Sequence, residues 1–469
     1  MISLAIGLLV VPATAATRAM AAAPGTAGAA QPGTGASDVT DLGAGGWQVR
    51  SSAVGPQTGA QISAPGFDTS GWLPVSNDDA GAPGTEIEAL AQNGECPGDT
   101  ALQPVNQNAD GPDSIFSASN MRSCYGYMST VGADTVAEFD VPWWWRTDFT
   151  PSLKSGQTAT LIVNGVVGSA DVWVNGHEVA TSSTVTGAYT RFTFNITGLV
   201  TSGANALAIE VSPNDPAKMF TLDDVDWNQI PPDNNTGIQF PVQLQVDGAL
   251  SDTNARVAEN NAADLSSSAL TVRSDITNNT AASQSGTVTA TISPPGGASI
   301  VVSQNVTVPA NTTRTVSFTP SAFPGLTIEN PQIWWPYQLG GQPLYTLATQ
   351  VSQIGAVLDS TSETFGIRTV TSYLTSGTSK GAPDGARAFK INGVPIVIRG
   401  GGFSPNLLLH YSAADIARQV ALTKNMGLNT IRLEGKMERD TFMSAVQGME
   451  FGLIDEVIEK RPAKLDIGG

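Results

Sequence analysis

The feature that most constrains this 469-residue chain is a change of hydrophobic period near residue 388. Before it, apolar residues alternate in short runs broken by turn residues. In "ADVWVNGHEVA" (170–180), Val172 and Val174 alternate with Trp173, and Asn175-Gly176 is a type I′ hairpin turn. After it, "FKINGVPIVIRGGGFSPNLLL" (389–409) reads as a strand, an Asn-Gly turn and a continuous apolar run, Ile396–Ile398, then Arg399 and three glycines. A continuous apolar run marks a strand buried on both faces. "SAADIARQVALTKNMG" predicts a helix capped by Ser412 and stopped by Gly427, with Ile416, Val420, Leu422 and Met426 on its apolar face. "LNTIRLEG" is a second buried strand. Strand, helix, strand is a βαβ unit and implies a parallel sheet, an arrangement seen nowhere earlier in the chain.

The length allows two or three domains. Residues 24–46 are rich in Gly, Ala and Pro and read as an unpacked linker. Strands and turns fill residues 47–250, continuing in "YTRFTFNIT" and "ANALAIEV". From about 251 to 371, "ALTVRSDITN", "GTVTATIS", "ASIVVSQNVTV" and "TRTVSFTP" recur at the spacing of an immunoglobulin-like sandwich. Trp143–Trp145 present flat rings suited to sugars, but consecutive tryptophans in a sandwich are more often packing.

Composition excludes several functions. The net charge is −18, so the basic footprint that nucleic acids need is missing. The only histidines are His177 and His410, and no cysteine spacing suits zinc, so neither a metal site nor a Ser-His-Asp triad is expected, and no cofactor. His177 follows a hairpin turn and reads as a surface residue. Ile2–Val11 has the length of a signal-peptide core and is too short to span a bilayer, so residues 1–23 predict export and a secreted, extracellular protein with no membrane partner. In that setting Cys96 and Cys124 read as a disulfide, with two buried thiols as the alternative.

The longer motifs carry a resemblance. "VPWWWRTDF", "ADVWVNGHEV", "DVDWNQIPPDNNTGI", "PQIWWPYQLGGQPLY", "FGIRTV", "IRGGGFSPNLLL" and "GLNTIRLEGKME", spread over about 45–436, resemble glycoside hydrolase family 2, in particular its exo-β-D-glucosaminidases. The resemblance implies a mainly β chain: a jelly-roll sugar-binding domain (47–250), an immunoglobulin-like β-sandwich (251–371) and the first βα units of a (β/α)8 barrel (372–436). It makes Ile396–Ile398 the first barrel strand and "RGGGF" the loop at its C-terminal end, the face where such barrels place chemistry. Glu434, at the end of the second strand, matches an acidic residue that contacts the substrate amino group; a pairing with Arg432 or Arg399 is the structural alternative. Asn406 falls where relatives often carry Asp. Asp226 and Trp227 belong to a loop, 226–235, expected to face the barrel. The implied substrate is carbohydrate, namely chitosan or a chito-oligosaccharide.

The resemblance also implies a deficit. Retaining glycosidases need two carboxyl groups about 5–5.5 Å apart. In this family they sit on the fourth and seventh barrel strands, and a barrel needs about 200 residues or more. From Ile396 onward this sequence has room for two or three βα units, so the expected reading is an incomplete barrel with neither catalytic carboxylate, hence no catalytic residue to name. The tail, 437–469, departs from the family. "MERDTFMSAVQGMEFGLIDEVIEKR" resembles the end of the Clp protease proteolytic subunit, and Asp440 matches its triad aspartate. Its serine and histidine partners have no counterpart here, and an aspartate alone activates no nucleophile. The functional expectation is a family 2 glycosidase acting on chitosan ends; the alternative is a non-catalytic carbohydrate-binding β-sandwich module.

Overall fold

The computed structural model describes residues 38–75, 82–93, 139–215, 219, 231, 233–376, 385–403, 408–409 and 413–433. Three parts follow one another along the chain.

The first is one wrapped antiparallel sheet. Its strands are β1 (Asp38–Asp41), β2 (Trp47–Ser51), β3 (Leu73–Val75), β4 (Gly84–Thr85), β5 (Trp143–Phe149), β6 (Thr158–Val174), β7 (His177–Asn195), β8 (Asn205–Ser212), β9 (Gly237–Ile238) and β10 (Val242–Asp247). The main order is β1-β10-β6-β8-β5-β2-β3; β7 lies on β6, and β9 bridges β6 and β4. Asn175 and Gly176 both have positive φ, so the β6–β7 hairpin turns as the sequence predicts. Strand β6 bends where its register with β7 shifts, around Gly165 and Gly168. A side chain at Gly165 would run into the Ala188 carbonyl, so only glycine lets β7 close over the bend.

Sequence reading assigned residues 24–46 to a linker, but Asp38–Asp41 is a strand on β10 and Leu42 is buried. A four-residue alternation beside a glycine-rich stretch is too short to stand out; its partner, β10, lies about 200 residues away. The three tryptophans pack. Trp143 and Trp145 point into the main core, Trp143 stacking on Phe139 at 6.4 Å. Trp144 fills a smaller core on the opposite face with Ile62, Trp72 and Ala208. There, helix α1 (Gly59–Ile62) and the chain after it cover β5. The buried Arg146 guanidinium holds that cover down. Its Nε donates to the Ile62 carbonyl at 2.9 Å, and it grips Asp148 with two bonds of 2.8 Å.

The second part is a sandwich. One sheet holds β11 (Leu250–Asn261), β12 (Ser267–Asn278), β15 (Thr313–Phe318) and β16 (Thr327–Glu329). The other holds β13 (Gln284–Ser293), β14 (Ile300–Val308), β17 (Tyr345–Gln353) and β18 (Ala356–Phe365). Burial along β12 alternates strictly, and Leu270, Val272 and Ile276 face Val288, Ala290 and Ile292 of the other sheet in one core. Outward residues pair across strands: Thr289 with Ser303 at 2.9 Å and Ser285 with Thr307 at 2.8 Å.

The third part begins with an antiparallel trio, β19 (Val370–Leu374), β20 (Arg387–Ile391) and β21 (Val394–Ile396). A parallel pair follows, β22 (Gly400–Phe403) and β23 (Thr430–Leu433), joined through helix α3 (Ala413–Asn425). Helix α2 (Glu86–Gln92) belongs to the first part.

The βαβ unit is present, but its first strand is not where the sequence placed it. Ile396 returns against Phe389 in the hairpin turned by Asn392-Gly393, and Val397 is 69% exposed. The parallel strand is the glycine run itself. Asn392-Gly393 commits the next residues to antiparallel pairing, so the chain reaches the parallel sheet only at Gly400. There a Cβ would overlap the Thr430 carbonyl, so glycine permits the approach.

The second part holds this unit from outside. Tyr337 Oη donates to the Leu428 carbonyl at 3.0 Å, and Gln338 Nε2 to the Gly427 carbonyl at 2.9 Å, capping the C-terminal end of α3. The Lys424 ammonium lies 5.4 Å from the Tyr337 ring centre. The predicted cap Ser412 lies outside the described residues. Of the predicted apolar face of α3, Val420, Leu422 and Met426 are exposed.

Candidate functional site

Two parallel strands deliver their C-terminal ends to the same side of a sheet. Here those ends are Phe403 and Leu433, paired in register. In the sequence Asn406 follows the first and Glu434 is the next residue after the second. Asn406 and Glu434 themselves lie outside the described residues, as do Asp226, Trp227, Cys96, Cys124 and Asp440.

Described residues beside this end form a buried junction. After β22 the chain plunges into the first part: Leu408 is fully buried and joins its core. Thr85 Oγ1 donates to the Leu408 carbonyl at 3.4 Å. The same oxygen accepts from Glu88 N at 3.3 Å, capping helix α2. Asp233, at the end of the loop predicted to face this region, provides a second cap. Its Oδ2 accepts from Ile87 N at 3.1 Å and its Oδ1 from Asn235 N at 2.9 Å. Glu86 and Glu88 in the first turn are also buried. Asn234 and Asn235 take left-handed conformations that let the loop double back. Gly237 then runs so close to β4 that a Cβ would lie 2.5 Å from the Gly84 carbonyl oxygen.

Burial pushes the Asp233 carboxyl up to about 7, although backbone N–H groups of Ile87 and Asn235 pull the other way. Asp233 is therefore protonated in acid and ionises only near neutrality. It is enclosed and bonded to backbone, so it shapes the junction and does not meet solvent. Where the second part leads into the third, Glu259 is pushed up to about 7 by burial, opposed by the nearby Arg368 guanidinium. Arg368 lies 4.7 Å from the Trp334 ring centre.

Sequence reading missed Thr85, Glu86, Glu88 and Asp233. The only local signal was Thr-Glu-x-Glu, a helix start with acidic residues in its first turn. Between Gly385 and Leu433 the sequence has a single carboxylate, Asp415, so this βαβ unit alone offers no opposed acid pair. Among the described residues no cluster of His, Cys, Asp or Glu suits a metal ion, and no helix is long and apolar enough to cross a membrane.

Comparison with known proteins agrees with this architecture. Residues 130–238 match the glycosyl hydrolase 2 galactose-binding domain-like model, and residues 250–368 match glycosyl hydrolases family 2. The two β parts thus belong to glycoside hydrolase family 2. Within that family the chain is similar to exo-beta-D-glucosaminidases. The one from Streptomyces avermitilis is 36% identical over 398 residues, covering 85% of this chain and 39% of the relative. The one from Amycolatopsis orientalis is 36% identical over 430 residues, covering 92% of this chain and 36% of the relative. The crystal structure of the Amycolatopsis orientalis exo-chitosanase CsxA superposes with a TM-score of 0.69 at 32% identity, over 89% of this chain and 42% of that one. The chain spans about two fifths of the length of these relatives. A Clp protease model matches residues 412–461, beginning just before α3.

Proposed function

We propose that these domains serve an exported, exo-acting glycoside hydrolase that removes β-linked glucosamine from chitosan ends with retention of configuration. The observation that carries the reading is the 36% identity to two exo-beta-D-glucosaminidases over 85% and 92% of this chain. The junction supports it: the first part grips the segment after β22 at the strand end where such units bind substrate. Glu434 follows β23 at that end, and its carboxylate would hold the terminal ammonium by a charge-assisted hydrogen bond. The net charge of −18 favours a polycationic substrate. Ile2–Val11 supports export to the extracellular space.

A second reading, binding without cleavage, is favoured by one observation: the βαβ unit contributes only Asp415 where retaining hydrolysis needs two facing acids. On this reading the chain alone retains chitosan and releases no sugar.

One experiment separates them. The purified chain is incubated with chitosan oligomers and with insoluble chitosan, alongside Glu434→Gln. Glucosamine release supports hydrolysis by this chain. Retention without release, weakened at least tenfold by Glu434→Gln, supports binding alone. Neither release nor retention overturns the amino-sugar reading.

A further inference from the structure

The first part carries an open cavity of about 270 Å³ between the end of β5 and the β1–β10 edge, lined by none of the junction residues. We propose that this cavity is a second, non-catalytic subsite that takes one protonated glucosamine unit; the proposal rests on the amino-sugar reading above. Ligand pockets usually hold about 300–1,000 Å³, so this one suits a single sugar ring and no longer chain.

Its lining has two characters. Leu42, Leu244 and the half-buried Phe149 continue the apolar core, while Thr40, Asp41 and Ser152 are polar. A pyranose has the matching pair of surfaces, a C–H face for an aromatic ring and a hydroxyl edge for polar groups.

Charge narrows the ligand further. Asp148 also lines the cavity, but both its oxygens are held by Arg146, so the pair is neutral. Asp41 accepts from the neutral Gln243 amide at 2.8 Å, and no cation pairs with it among the described residues. Among the described residues the cavity therefore carries one uncompensated negative charge beside an apolar wall. An ammonium sugar gains a charge-assisted hydrogen bond there, a neutral N-acetylated sugar does not, and a carboxylated sugar is repelled.

The test uses the full chain carrying Glu434→Gln, which removes the other carboxylate proposed to hold an ammonium, with glucosamine and N-acetylglucosamine titrated separately and followed by NMR. The expected result is at least tenfold tighter binding of glucosamine, lost in Asp41→Asn. That variant keeps an acceptor for Gln243, and circular dichroism checks its fold. Ser152→Lys, at an exposed position on the rim, should abolish glucosamine binding by placing a competing ammonium there. Equal affinity for the two sugars, no binding of either, or a preference that survives both substitutions overturns the subsite. Retention of insoluble chitosan is measured in parallel. If retention persists while the monosaccharide preference is absent, the subsite fails and the proposed function stands; if wild type shows neither, both fail.

Discussion

The two β parts solve the same problem differently. The second is a regular sandwich with strict alternation along β12, registers that shift at two places only among the described residues, and hydroxyl pairs along its outer face. The first has its longest ladder broken four times, carboxyl side chains buried beside a short helix, and backbone packed against backbone at Gly237. Regularity leaves little for a ladder to do beyond holding itself together. Broken ladders free backbone groups to find other partners: within one break Val167 pairs with Gly237 of β9, and β9 pairs with β4, whose Thr85 holds Leu408. The second part props the parallel unit from outside, through Tyr337 and Gln338; the first receives the chain into its core at Leu408.

Substitutions can break that contrast, and the largest effect falls in the first part. Gly237→Val places a branched side chain at φ +149 against the Gly84 carbonyl. We expect a loss of about 4 kcal/mol or more, enough to unfold this part. Urea denaturation followed by the fluorescence of Trp47 and Trp145 would show it; an unchanged midpoint would refute the close approach. Ile276→Ala in the second part leaves a cavity and should cost about 3 kcal/mol, within the usual range for such truncations. Its signature is a destabilised sandwich with the tryptophan signal of the first part unaltered.

The next effect sharpens the contrast through pH. The Asp233 carboxyl is raised to about 7 in the folded chain, from 3.8 when exposed. Between those values the unfolded state has lost a proton that the folded state retains, so stability falls as pH rises from about 4 to 7 and levels off above. The slope is at most about 1.4 kcal/mol per pH unit. Asp233→Asn should flatten that slope in the first part, at some cost in baseline stability because an amide cannot accept both backbone bonds. Glu259 is raised similarly, so Glu259→Gln should flatten only the response of the second part. If Asp233→Asn leaves the slope of the first part intact, the carboxyl is not held protonated there. The smallest effect is on the outer ladder: Thr289→Val loses the hydroxyl bond to Ser303 and should cost about 0.2–1 kcal/mol. A larger loss in thermal melts would mean that the outer face contributes more than its exposure suggests.

Sequence alone reveals features whose cause is local. Asn175-Gly176 and Asn392-Gly393 turn as read, because left-handed turn residues need no distant partner. The alternation of Ser267–Asn278 is likewise visible, since both faces of the strand are set by period two. Helix α3 follows from its spacing. What stayed hidden depends on remote partners. Gly400–Phe403 reads as a loop because glycines carry no strand preference; Thr430–Leu433 alone makes it a strand. Asp38–Asp41 needs β10 in the same way. Ile87 meets Asp233 across 146 residues and Thr85 meets Leu408 across 323, and nothing near any of them announces the others.

The buried seat of Leu408 also sets an order of birth. Its receptacle is complete only at the end of β10, about 160 residues upstream, and ribosomes add about 5–20 residues per second. The socket therefore waits for roughly tens of seconds before its plug emerges. During that interval the nascent chain displays an apolar vacancy, the kind of surface that chaperones shield and that aggregation exploits.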